Sequence, residues 1–96
     1  MIEFLVGFEL EVPAGTPPEE VDRRQQAESD AAANLAEDGQ LVRLWRLGGS
    51  TAVGLYRAES AAELDRLLAA LPLADWLRVT VTPLEAHPND PAAAAR

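Results

Sequence analysis

The segment "LVRLWRLGGSTAVGLYR", residues 41–57, sets two short runs of apolar, β-branched and aromatic residues, 41–47 and 51–57, on either side of Gly48, Gly49 and Ser50. Such runs favour extended chain, and the glycines permit a tight reversal, so the segment reads as a β-hairpin. On both sides of it the pattern changes to helical. Upstream, Thr16 with Glu19 three residues later forms a capping box, and Pro17 stands at the favoured first helical position. A helix is therefore expected from about residue 17 to about residue 38, where Gly39 supplies a C-terminal stop. Downstream, Ser60 and Glu63 form a second capping box ahead of Leu64, Leu67, Leu68 and Leu71, a leucine stripe at helical spacing that ends at Pro72.

The two ends of the chain complete the pattern. Residues 2–12 alternate, with Ile2, Phe4, Val6, Phe8, Leu10 and Val12 on one side and Glu3, Leu5, Gly7, Glu9 and Glu11 on the other. Residues 76–84 alternate Leu77, Val79 and Val81 against Arg78, Thr80 and Thr82. Both read as half-buried strands. The order β-α-β-β-α-β is that of a ferredoxin-like α+β sandwich, a four-stranded antiparallel sheet with two helices on one face. Residues 1–86 form this domain, and residues 87–96, rich in Pro and Ala, form a tail with little to bury, whose ordering depends on a partner subunit.

Helices on one side leave the other face of the sheet uncovered, and that face carries apolar residues. Leu5 lies opposite the Phe4 side, and Leu41, Trp45 and Leu47 alternate against Val42 and Leu44. The simplest cover is the sheet of a second subunit, so a sheet-to-sheet homodimer or a larger assembly is expected. A chain of 96 residues also leaves a large share of its apolar surface exposed unless it associates.

Composition excludes several function classes. There is no cysteine, which removes disulfides, thiolate catalysis and cysteine-based metal sites. With one histidine and no clustered carboxylates, no metal site is expected. A net charge of −8 repels phosphate backbones, so no nucleic-acid partner is expected. No apolar run approaches the ~20 residues that cross a bilayer, and the glutamate-interrupted start lacks the features of a secretory signal, so a cytoplasmic protein is expected. All the basic residues are arginine, which removes lysine Schiff-base chemistry.

Against this background a few polar positions stand out. On the first helix the inward stripe through Val21, Ala32 and Leu35 also contains Gln25 and Glu28, with Glu28 seven residues from both Val21 and Leu35. A carboxylate held against an apolar layer has its charge disfavoured, which raises its pKa toward the range useful for proton transfer. The alternative is an ion pair with an arginine of the sheet. In "RLWR", residues 43–46, Arg43 and Trp45 alternate with Leu44 and Arg46, so one arginine faces the helices and needs a carboxylate from the protein or from a ligand. His87 has a pKa suited to acid–base work but precedes a proline outside regular structure, which also fits a plain tail residue. Trp76, at the start of the last strand, lines a pocket or fills the core.

The chain resembles the muconolactone isomerase family along nearly its whole length, through "EDGQLVRLWRLGG" (residues 37–49) and "LAALPLADWLRVTVTPLEAHPND" (residues 68–90). The resemblance implies a ferredoxin-like subunit in sheet-to-sheet dimers and ring-like assemblies, decameric in the well-known isomerases. It implies an enzyme that moves the ring double bond of muconolactone to give 3-oxoadipate enol-lactone in aromatic catabolism, by proton abstraction and return and without a cofactor. Carried over by position, Glu28 is the candidate base and His87 a second catalytic candidate. Arg46, Trp45, Gln25 and Trp76 are candidates for binding a small acidic lactone.

The chain departs from the family at two places. The hairpin reads "GSTAVGLY" where members have a polar and aromatic stretch such as H-Y-A-N-Y, and Leu64-Asp65 stands where members often have Leu-His. Two other readings therefore stay open. One is an isomerase- or cyclase-like enzyme of secondary metabolism acting on a larger, less polar molecule. The other is a non-catalytic small-molecule-binding protein, in which Glu28 would be fully paired with arginines and no cavity would open beside it.

Overall fold

The structure, a computed structural model, describes residues 1–94. Its elements are β1 (Ile2–Leu10), α1 (Pro18–Glu37), β2 (Leu41–Gly48), β3 (Thr51–Ala58), α2 (Ala61–Ala69), a 3-10 turn (Ala74–Trp76), β4 (Leu77–Leu84) and a single helical turn, α3 (Pro91–Ala94). The four strands form one antiparallel sheet in the order β2-β3-β1-β4, the ferredoxin-like arrangement expected from the element order. β1 is central. Phe4 pairs with Tyr56 on one side and Pro83 on the other, Val6 with Gly54 and Val81, and Phe8 with Ala52 and Val79. Because side chains alternate along a strand, these residues share one face, and that face is the one the helices cover.

The core lies there. Phe4, Val6 and Leu64 are fully buried, and Leu41, Tyr56, Ala58, Leu68 and Leu71 complete the cluster. Burying each large side chain is worth about 1.5–3 kcal/mol, so this layer carries much of the stability. α2 enters it through Leu64 and Leu68. Its start is capped by Ser60, whose hydroxyl accepts from the Glu63 N–H at 3.1 Å. The reciprocal half of the box is displaced by one residue, since Glu63 accepts from the Glu59 N–H.

α1 contributes no fully buried residue. Ala31, Ala32 and Leu35 pack on the core from its second half, whereas in its first half Val21, Arg24, Ala27 and Glu28 are no more than half-buried, and Gln25, expected on the inward stripe, is exposed at the open cleft because no core layer lies under that turn. The helix therefore seals one end of the sheet and leaves the other end open. α1 stops at a glycine motif: Gly39, at φ 80°, donates to the Ala36 carbonyl, and Gln40 donates to the Leu35 carbonyl. These are the two bonds of a Schellman ending.

Several local expectations are corrected. Thr16 does not cap α1; its hydroxyl donates to the Pro13 carbonyl at 2.6 Å, closing a turn, and Pro17 takes the cap position with no side-chain bond. α2 ends at Ala69, short of Pro72, because the chain turns at Ala70 to enter the 3-10 segment. β1 ends at Leu10, before Val12. Leu41 belongs to the core face, not to the side of Trp45: a bulge between Leu41 and Arg43 inserts one residue into β2 and reverses the alternation ahead of it. In the tail, residues 91–94 form a helical turn, with the Asp90 carboxylate accepting from the Ala92 N–H. The expectation for Ala95 and Arg96 lies outside the described residues. No helix among the described residues is long and apolar enough to cross a membrane.

Candidate active site

Where α1 withdraws from the sheet, a cleft of about 650 Å³ opens. Phe8, Leu10, Leu44, Ala52 and Leu77 form its apolar floor, Gln25, Glu28 and Ser29 project from α1, and Arg46 and residues 49–51 of the hairpin form a rim. That volume falls in the range of pockets for small ligands. The floor exists because nothing covers it, and Leu44, on the helix-facing side of β2, is 51% exposed.

Glu28 is the best-defined polar group in the cleft. Its Oε1 accepts from the Leu73 N–H at 2.9 Å. That donor is available for a local reason: it lies between the end of α2 and the 3-10 turn, where it serves no helix hydrogen bond, and it follows Pro72, which has no N–H of its own. Partial burial holds the Glu28 carboxyl above its ordinary pKa, and the Leu73 N–H offsets part of that rise by stabilising the charged form. Glu28 makes no ion pair among the described residues, so the alternative of a structural Glu28–arginine pair is not what the fold adopts.

The 71–76 segment is itself clamped to α1. The Arg24 guanidinium lies 4.3 Å from the centre of the Trp76 ring and reaches the Pro72 carbonyl at 3.5 Å, while Glu20 stands 3.8 Å from the same guanidinium. Arg24 thus ties the Leu73 donor to the helix that bears its acceptor. The clamp was not among the sequence candidates, though Arg24 lies one turn before Glu28 and the segment it holds is the L-P-L stretch.

The fold brings Glu28, Gln25, Arg46 and Trp45 to one cleft. Arg46 shares the helix-facing side of β2 with Leu44, pairing with Ala52 of β3, and forms no ion pair among the described residues. Trp45 alternates to the opposite side, where Arg43 lies 5.0 Å from its ring, so it meets the cleft only at the edge of the strand. Trp76 is buried under Arg24 and borders a separate hollow with Glu11, Pro13 and Arg78. His87 is exposed beyond β4, outside the lining of the cleft, with its Nδ1 accepting from the Asn89 N–H at 3.0 Å. Among the described residues no group of three or more His, Cys, Asp or Glu side chains is arranged to hold a metal.

Residues 2–90 match the family model for muconolactone delta-isomerase. The chain belongs to the muconolactone delta-isomerase family. Relatives include muconolactone delta-isomerase 1 of Acinetobacter lwoffii, 33% identical over 90% of this chain and 91% of that protein. The muconolactone delta-isomerase of Cupriavidus pinatubonensis is 31% identical over 90% and 95%. A crystal structure of muconolactone isomerase superposes with a TM-score of 0.85, at 24% identity, covering 93% of this chain and 94% of that one, which shows the shared fold. Membership of the muconolactone delta-isomerase family makes the protein an intramolecular isomerase.

Proposed function

We propose that the chain isomerises muconolactone to 3-oxoadipate enol-lactone by proton transfer, without a cofactor, with Glu28 as the base. The observation that carries this reading is a carboxylate of raised pKa standing over an apolar cleft with the Arg46 guanidinium on its rim, neither of them in an ion pair among the described residues. Glu28 takes a proton from a ring carbon of the lactone, and the C–H electron pair enters the conjugated system, so negative charge gathers on the lactone carbonyl oxygen. The carboxyl then returns the proton to another ring carbon, and the double bond has moved. Burial makes the carboxylate a stronger base for the first half of the cycle and keeps the abstracted proton on Glu28, rather than lost to water, until it is returned to carbon. Arg46 holds the substrate carboxylate at the rim, and Gln25 lies beside the base on α1. Trp45 closes the edge of β2, whereas Trp76 acts on the site only through the Arg24 clamp. His87 enters this scheme only if the tail of a neighbouring copy carries it to the cleft.

The test is turnover of muconolactone by purified protein. Glu28→Gln lowers kcat by about 10²–10⁴-fold, the usual worth of a positioned base. Arg46→Met raises KM with a smaller change in kcat, because it removes binding common to ground and transition states. Wild-type turnover retained by Glu28→Gln would refute the role of the base.

The second reading, a larger and less polar lactone or enone of secondary metabolism, draws on the floor of Phe8, Leu10, Leu44 and Leu77 and on the small residues of the rim. Comparing kcat/KM for muconolactone with that for an alkyl-substituted, uncharged lactone separates the two. Preference for the uncharged compound favours the second.

A further inference from the structure

Tyr56 of β3 is 3% exposed and belongs to the core; it lies beneath the floor of the cleft, and its ring leans along β3 toward that end of the sheet. The geometry of Gly54 shows this. A Cβ built on Gly54 would lie 2.6 Å from Cε1 and 3.3 Å from Cδ1 of Tyr56, so the ring leans back along β3 over the bare glycine. From there it meets Phe8, with ring centres 6.0 Å apart, and it shares Gly54 with Leu44, 3.3 Å from the same Cβ position. Phe8 and Leu44 are floor residues of the Glu28 cleft.

The two element geometries carry the hydroxyl and Glu28 toward the same end of the sheet. Leu35 packs on the core layer that contains Leu41 and Tyr56. Moving seven residues up α1 from Leu35 to Glu28 covers about 10 Å at the helical rise. The tyrosine ring, leaning toward Gly54, spans about 6–7 Å in the same direction, the length of two strand residues. Glu28 and the phenol oxygen therefore lie toward the same end of the sheet, and burial first, with the Glu28 charge second, pushes the Tyr56 pKa up to about 12 and holds it in its phenol form.

The hydroxyl has no hydrogen-bond partner among the described residues, and it is not one of the sealed polar atoms either, since no buried side-chain oxygen there is left without a partner. A phenol O–H that is not fully sealed, and is unused by the protein, is a donor left for a ligand. Among the described residues, the hydroxyls that line the cleft, on Ser29, Ser50 and Thr51, lie at the exposed rim, and that of Thr51 already donates to the Gly48 carbonyl.

We infer that Tyr56 is a further catalytic residue, whose hydroxyl donates a hydrogen bond to the substrate oxygen on which negative charge gathers as Glu28 removes the proton. This rests on the proton-transfer reading above. Tyr56 keeps its proton throughout: the hydrogen moved from carbon to carbon travels on Glu28, and the phenol strengthens its bond to the oxygen while the charge is there.

Two measurements test it on the full chain. In the first, Tyr56→Phe keeps the ring over Gly54 and lowers kcat for muconolactone about 100-fold, with KM and melting temperature nearly unchanged. In the second, para-nitrophenolate serves as a stand-in for the charged oxygen, and its absorbance reports binding to Glu28→Gln, in which the base is replaced by a neutral side chain. Glu28→Gln binds the phenolate, and adding Tyr56→Phe weakens binding about tenfold or more. Tyr56→Phe turnover within about threefold of wild type overturns the inference whatever the phenolate does, and leaves the substrate assignment standing. Where the wild type gives no turnover, the substrate assignment fails and the phenolate decides: Tyr56-dependent binding supports the donor, and absent or Tyr56-independent binding overturns it.

Discussion

Gly54→Ala adds a single methyl group at the point where the core meets the cleft. Gly54 is not in the left-handed region, so its backbone suits any residue, and in an open strand the substitution would stabilise by about 0.4–1 kcal/mol through loss of freedom in the unfolded chain. Here the new Cβ would lie 2.6 Å from Tyr56 Cε1 and 3.3 Å from Leu44 Cδ1. The tyrosine contact cannot be relieved by swinging a free end, because that ring is packed against Phe8 within the core. Overpacking of this kind costs about 1–3 kcal/mol. The net expectation is a loss of about 1–2 kcal/mol, or about 5–15 °C in melting temperature for a domain of this size. Thermal and urea denaturation of Gly54→Ala provide the measurement, and a cycle with Tyr56→Val isolates the cause. Removing the ring removes the clash, so in the Tyr56→Val background Gly54→Ala is neutral or stabilising. An equal loss in both backgrounds, or a stabilised single variant, would refute the argument that Gly54 exists to make room for the ring.

The remaining expectations concern the same site and the uncovered face. Burial raises the Glu28 pKa above its unfolded value, so the wild type loses stability as pH rises through that raised value. Glu28→Gln does not titrate; it is therefore no more stable at acid pH, where both side chains are neutral, and more stable at neutral pH, as urea midpoints across this window will report. Arg24→Ala costs about 1 kcal/mol through loss of the stack on Trp76. It also frees the Leu73 N–H, so the Glu28 pKa moves further up and the acidic limb of the pH–rate profile shifts to higher pH; an unmoved limb would show that the clamp does not position the base. On the open face of the sheet, Leu5, Trp45 and Leu47 are 39%, 40% and 65% exposed, an apolar surface that a second copy would bury. Leu5→Glu with Trp45→Glu lowers the sedimenting mass, and an unchanged mass would place any interface elsewhere.

Much of the site was legible in sequence because it rests on local periodicity. The seven-residue spacing of Val21, Glu28 and Leu35 put Glu28 on the inward stripe, and strand alternation put Arg46 on the same side as Leu44, while the sheet register decided that this is the helix side. Leu41 was misread because a bulge leaves no signature in a run of apolar residues, all of which suit either face. The Leu73 donor was invisible for a different reason. It is a main-chain group, and its contact with Glu28 spans 45 positions of the chain.

Tyr56 and Gly54 mark the same boundary more sharply. Alternation assigns both to one face, but the lean of the ring over the glycine depends on Phe8 and Leu44 from two other strands. The sequence by itself therefore determined the order of elements, the alternation within each regular stretch and the family, because these follow from spacings within a few residues. Only the tertiary structure decided which groups meet: the opening of the cleft where α1 turns polar, the Arg24 clamp, and the packing of the Tyr56 ring over Gly54. Those depend on where separate elements cross, which is settled by packing the whole sheet at once.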